Sequence, residues 1–344
     1  VGMGPGLANT EANLVENERS MGFVTKSQST KFKSFQSLDT AEVAAVSGPF
    51  EWVAVKSKYF VTAVLAFETG AAPVGGLSVR PLPQAGQKKA NQASIWASLL
   101  LPAAGDFRYE LYAGPMEYSR LAKVGHDFDD VNPYGWPGFR TIIRPVAVAV
   151  RWMLVWMHEN LHLAYGMVLV VFGILVRVVL WPLNQKAMRS TMAMQAIQPE
   201  LKAIQDKHKE DPARLQQEMF KLYKEHGVNP LGGCWPMLLP MPVLLALFFV
   251  FQNTIELRGQ SFLWLPDLSQ HDPLYIIPLI MGLSMFGLTK MGQRGIPPNP
   301  QMKMMMYVMP VMMTVLFLNF ASGLNLYYAV SNIASIPQQW LISE

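Results

Sequence analysis

The sequence predicts an α-helical membrane protein, with a five-helix transmembrane core behind an N-terminal β-sandwich domain outside the cytoplasm. Three observations carry this. Five apolar spans fall at about 163–183, 235–252, 274–289, 304–320 and 323–342. Hydrophobic residues make up 51% of the chain and charged residues 15%, against roughly 25% charged in soluble domains. Residues 1–135 have another texture, with short β-branched and aromatic runs between Gly/Pro/Ser clusters.

In that first region Phe50–Val64 mixes alternation with Trp, Val, Tyr and Phe, and Phe107–Tyr112 alternates cleanly. Turn clusters such as Gly70–Gly76 punctuate the runs, which is the pattern of a sandwich. Met116–Val124 predicts one short helix. The first thirty residues contain no signal-peptide pattern. An external domain needs an exporting anchor, so a transmembrane helix is expected before Val1.

Residues 136–162 predict an amphipathic helix lying in the membrane interface. Arg140, Arg144, Arg151 and His158 recur on one face, while Ile142, Val146, Ala149, Met153 and Trp156 occupy another. A basic stripe beside an apolar face with tryptophans suits the headgroup region. An ordinary amphipathic core helix is the alternative.

Residues 163–344 predict the five-helix core. Several spans have only about 16–18 residues, short of the roughly 20 that a hydrocarbon core requires, and short spans thin the bilayer. Pro240, Pro242, Pro278, Pro310 and Pro337 fall inside them. Loop charge sets the orientation. Asn184–Gly233 carries eight Lys/Arg, whereas Asn253–Pro273 holds Glu256, Asp267 and Asp272 against Arg258 alone. Positive loops stay cytoplasmic, which puts the C-terminus inside and the β domain outside. Within the long connection, residues 185–228 predict a helical hairpin, with Asp211-Pro212 as stop and restart.

Arg177 is the residue that points to function. It stands alone in the apolar run Val168–Trp181, where a guanidinium costs roughly 2.5–3.5 kcal/mol and usually faces a wet cavity or a partner. The alternative is snorkelling toward the span end. Asn325, Ser331 and Asn332 in the last span extend a polar wall, or else bond between helices. Met305, Met309 and Met312 belong to a methionine-rich run at the fourth span, which is ordinary packing or an adaptable surface for varied apolar segments.

Other chemistries lack a pattern. Cys234 is the single cysteine, which excludes a disulfide framework and a multi-cysteine metal site. His158 and His162 are four apart with no evident third ligand. No cofactor motif and no Ser/His/Asp constellation is present, and a net charge of +4 does not argue for nucleic acid. A small-solute transporter or channel with an anion site at Arg177 is the rival function, though no internal repeat supports it. A membrane-anchored sugar-binding module is a third reading, without an evident aromatic platform.

The segment Asn229-Pro230-Leu231-Gly232-Gly233-Cys234-Trp235-Pro236-Met237-Leu238-Leu239-Pro240-Met241-Pro242 resembles the opening of the third transmembrane helix of YidC/Oxa/Alb membrane protein insertases. Phe262–Leu268, Ser322–Tyr328 and Gln338-Gln339-Trp340 continue the resemblance in order, and Trp52–Phe60 and Tyr112–Pro115 resemble the family's periplasmic domain. The resemblance implies an inner-membrane insertase and chaperone, not an enzyme. It would handle nascent membrane proteins in the lipid bilayer, alone or with the Sec translocon, and the ribosome is a further candidate partner. It also implies that Arg177 is the arginine of a hydrophilic groove open to cytoplasm and lipid, and that the hairpin receives the substrate. Three positions depart from the family pattern: Ala321 where proline is common, Pro337 where an aliphatic residue is usual, and Thr289 where a glutamine is common. Thr289 thereby joins the candidate groove residues.

Overall fold

The computed structural model describes residues 1–4, 7, 11, 14–66, 73–83, 89–100, 108–135, 138–209, 211–227, 241–292 and 300–343. The Gly232–Pro236 motif with Cys234 lies outside them. The chain divides into two units, Val1–Arg144 with Gln252–Glu256, and Pro145–Phe251 with Leu257–Glu344.

The first unit is a β-sandwich. Its strands are β1 (Gly2–Met3), β2 (Gly22–Lys26), β3 (Thr30–Ser34), β4 (Ala44–Phe50), β5 (Trp52–Lys56), β6 (Phe60–Leu65), β7 (Val74–Pro83), β8 (Ala90–Leu99) and β9 (Glu110–Pro115). One sheet has the order β1-β8-β7-β4 and the other β3-β2-β5-β6-β9, and the pairs are antiparallel. Between the sheets, Phe23, Val53, Val55 and Val64 of one pack with Leu77, Val79, Ala93 and Ile95 of the other. Each of these Val, Leu, Ile and Phe side chains contributes roughly 1.5–3 kcal/mol when fully buried.

The second face of the five-stranded sheet is covered too. Val24, Trp52, Ala54, Val61 and Ala63 pack against Leu121 of α2 (Tyr118–Val124) and against Phe128 and Val131 of the turn beyond it. The Trp52 indole N–H donates to the His126 carbonyl at 3.1 Å, and its ring meets Phe128 edge-on at 5.2 Å. Strands buried on both faces lose polar/apolar alternation, which is why Phe50–Val64 reads as a mixture. Another helix, α1 (Leu14–Ser20), precedes β2.

Helix α3 (Arg140–Leu161) forms where an interfacial helix is expected, but its basic face is turned inward. Arg140 pairs with Asp130, and Arg144 donates to Asp129 at 2.6 Å. Arg151 is buried, and His158 Nδ1 lies 2.7 Å from the Leu163 carbonyl. The exposed stripe is apolar instead: Ile142, Pro145, Ala149, Trp152 and Trp156 follow at three- and four-residue steps. The Trp152 and Trp156 rings stack at 6.3 Å. Burial pushes the Asp130 carboxyl up despite Arg140 and Arg144, while a 2.8 Å hydrogen bond from Lys26 draws Asp127 down. The start of the basic stripe is therefore an ion-pair face, because Asp129 and Asp130 just upstream supply partners for Arg140 and Arg144.

The second unit is helical. Its main elements are α4 (Tyr165–Ala196), α5 (Gln198–Lys207), α6 (Pro212–Glu225), α7 (Met241–Asn253), α8 (Ile276–Gly292), α9 (Pro300–Phe317) and α10 (Ser322–Ser343). Among the described residues, Tyr165–Gln185 is long and apolar enough to cross a membrane, and Met241–Asn253, Ile276–Gly292 and Met306–Phe317 are shorter apolar helices. Helix α4 continues through Pro182 beyond the predicted span end. Of the stretch expected as a hairpin, residues 185–196 continue α4 and the rest holds α5 and α6, and the Asp211 carboxylate caps α6 by accepting from Arg214 N at 3.0 Å.

Candidate functional site

Helix α10 is the spine of the second unit. Its start is pinned by Ser322 N donating to Gln270 O and Gly323 N to Leu268 O at 2.9 Å. At Gly323 a Cβ would stand 2.3 Å from Phe251 Cε1 and 3.2 Å from Leu169 Cδ1, so only glycine lets α4 and α7 come this close. Further along, Phe172 and Tyr327 rings lie 5.7 Å apart, and Gly173 faces Tyr327 and Val330. The contacts advance together along both helices, so α4 and α10 run parallel. Helix α8 starts at the same end, because Asn332 reaches Ser284 and Gln339 reaches Gly292 in the same sense.

On this frame, polar residues seven apart on α10 form two adjacent lines. Ser331 and Gln338 face α4. Arg177 Nε donates to the Ser331 carbonyl at 3.0 Å and to Ser331 Oγ at 2.9 Å, and Gln338 Nε2 donates to the Trp181 carbonyl at 3.0 Å. Asn325 and Asn332 form the second line. The Asn332 amide donates to Ser284 Oγ at 3.3 Å, and the fully buried Asn325 amide donates to the Phe317 carbonyl at 3.0 Å. Asn325 Oδ1 is buried without a partner among the described residues, as is Asn184 Nδ2 on α4.

Arg177 is half-buried and, among the described residues, has no carboxylate partner; its nearest titratable neighbours are Tyr327 and Tyr328. Its Nε is committed to Ser331, and no described carboxylate neutralises the guanidinium. A cation so arranged is fixed at Nε and balanced by no described carboxylate.

The structure thus brings Arg177 and Ser331 together and turns Asn332 and Asn325 toward α8 and α9. Thr289 Oγ1 donates to the Met285 carbonyl of its own helix at 2.8 Å. Met309 is half-buried and Met312 exposed, while the Met305 side chain lies outside the described residues. Gln338 is named in the sequence only as part of the resemblance, and neither it nor Ser284 is among the site residues expected there. The seven-residue step from Ser331 to Gln338 is the signal that marks the former, whereas Ser284 has no such marker.

Residues 156–344 match the family profile described as 60Kd inner membrane protein, and residues 9–148 match that described as YidC periplasmic domain. The membrane protein insertase YidC of Chlorobium phaeovibrioides is 38% identical over 319 residues, covering 86% of this chain and 53% of its own length. That of Chloroherpeton thalassium is 34% identical over 360 residues, covering 98% of this chain and 60% of its own. A solved structure described as an active YidC insertase with the first transmembrane domain resolved aligns with a TM-score of 0.49 at 22% identity, over 94% of this chain and 71% of that one. The chain spans about half the length of the curated relatives it matches. One profile covers more than half of the chain and the other most of the remainder, and on that ground the chain belongs to the 60Kd inner membrane protein family, the family of YidC.

Proposed function

We propose that the chain inserts and folds proteins in the bacterial inner membrane, alone or with the Sec translocon, through a hydrophilic groove in which Arg177 is the attracting charge. The β unit stands outside and the C-terminus inside, as loop charge supports. The observation that carries the reading is Arg177 itself, held at Nε by Ser331 with no described carboxylate beside it. A substrate with an acidic translocated segment must move carboxylates through hydrocarbon. A fixed cation part-way shortens that path, and the accessible methionines of α9 offer the apolar segment an adaptable surface. No bond is made or broken in this process, so the work is positional and electrostatic.

Paired substrates differing by two carboxylates test the reading in vesicles. At about 7 Å and an effective dielectric of 20, each carboxylate gains roughly 2 kcal/mol from Arg177, about thirtyfold in rate. Arg177→Ala should slow the acidic member by at least tenfold more than its neutral twin, and Arg177→Glu more still. Arg177→Lys should retain much of the rate. Equal loss for both members would make Arg177 a structural residue, and flux of small anions through the vesicle-embedded chain would favour a channel.

A further inference from the structure

The connection between α7 and α8 carries an exposed apolar tip on a rigid base. Phe262 and Leu265 exchange backbone hydrogen bonds at 2.9 Å, closing a two-residue hairpin with Leu263 and Trp264 at its tip. Leu263 has φ 54°, a left-handed conformation that favours glycine, yet a leucine stands there, 74% exposed as a residue. A strained position filled by a large exposed hydrophobe points to a use for the side chain.

The base holds the tip firmly. A Cβ on Gly166 would stand 2.1 Å from the Phe262 ring, so Phe262 seats directly on the start of α4. The Trp264 indole N–H donates to Asp272 Oδ1 at 3.1 Å. Asp272 is wholly buried and also accepts from Leu274 N at 2.9 Å and Ile277 N at 2.8 Å. The tip is thereby tied to the first turn of α8.

Leu274, Tyr275 and Ile276 are exposed beside this base, and the exposed face continues down α8 through Leu279, Ile280 and Leu283. The tip is therefore the upper end of an apolar surface that runs along a membrane helix. The one carboxylate bonded to the tip points inward. Because the indole N–H is spent on Asp272, the ring presents hydrocarbon rather than a headgroup-seeking donor.

We infer that the Leu263–Trp264 hairpin is a lipid anchor, inserted at the headgroup–acyl boundary of the leaflet where α4, α8 and α10 begin. The inference rests on the membrane-embedded reading of the second unit. By wedging there, the hairpin fixes the depth of the helix ends around it.

Nitroxide labels test it in the chain reconstituted in phosphatidylethanolamine/phosphatidylglycerol vesicles, with Cys234→Ser as background. Single cysteines replace Leu263, Leu283 of α8 and Leu111 of the sandwich. Collisions with oxygen and with a water-soluble nickel chelate are measured at each. At 263 and 283, oxygen should exceed nickel several-fold, with 263 the shallower, and 111 should show the reverse. Nickel access at 263 with 283 still in lipid overturns the anchor and leaves the membrane reading intact. Shielding of 263 from both reagents overturns it in favour of a protein occupant, and nickel access at 283 removes the membrane reading beneath it. As a second arm, Leu263→Gly relieves the backbone and removes the side chain. It should leave the thermal midpoint in detergent unchanged or higher, while a label at 274 gains nickel access by at least twofold. No gain at 274 would also overturn the anchor.

Discussion

Lys56 closes β5 with its ammonium buried, within 2.8 Å of Asn132 Oδ1 and 5.5 Å from the Phe32 ring centre. Neither neighbour carries a negative charge, and burial lowers its pKa from 10.5 to about 7. The unfolded chain therefore holds one proton more than the folded chain between about pH 7 and 10.5, so stability rises with pH across that window. The slope approaches about 1.4 kcal/mol per pH unit, and integration from pH 7 to 9.5 gives about 3 kcal/mol. Below about pH 6 both states are protonated and the dependence vanishes. Lys56→Met removes the titration at the expense of an unpaired Asn132 oxygen, a loss of about 1–3 kcal/mol independent of pH. The assay is pulse proteolysis of the sandwich in a urea series, on the whole chain in detergent, at half-unit pH steps. The parent midpoint should climb from pH 7 to 9.5 while the variant stays level. A parent midpoint that is flat or falling, or a variant with the parent's slope, would refute the argument.

Two further outcomes concern the helical unit. Gly323→Ala should destabilise it by about 1–3 kcal/mol through collision with Phe251, and Phe251→Ala in the same chain should recover part of that loss; thermal midpoints in detergent decide, and strict additivity would remove the contact. Asp272→Ala strands three donors at the start of α8 and should cost roughly 3 kcal/mol or more, read as a lowered midpoint and new protease cleavage between 260 and 275.

What was legible in the sequence follows from which signals are local. Arg177 could be found because a charge in an apolar run conflicts with its surroundings whatever the fold. The cap at Asp211 and the helix at Tyr118–Val124 rest on neighbours a few residues away. The direction of α3 could not be read, because spacing shows that Arg140 and Arg144 share a face but not that Asp129 and Asp130 take it. The Thr289 hydroxyl bonds the carbonyl four residues back, an option open to any helical threonine that spacing alone does not reveal. The place of Gln338 in the site could not be read because its partner is a main-chain carbonyl 157 residues away, and every residue has one.

That last contact has an evolutionary consequence. The ties between α4 and α10 run from side chains to carbonyls, Arg177 to Ser331 and Gln338 to Trp181. A carbonyl persists through any substitution of its own residue. Position 181 is thus free to drift as lipid and packing demand, whereas 177 and 338 carry the donors and bear the constraint. The helix pair holds its alignment with position 181 exempt from selection on hydrogen bonding, whereas 331 also lends its hydroxyl to Arg177.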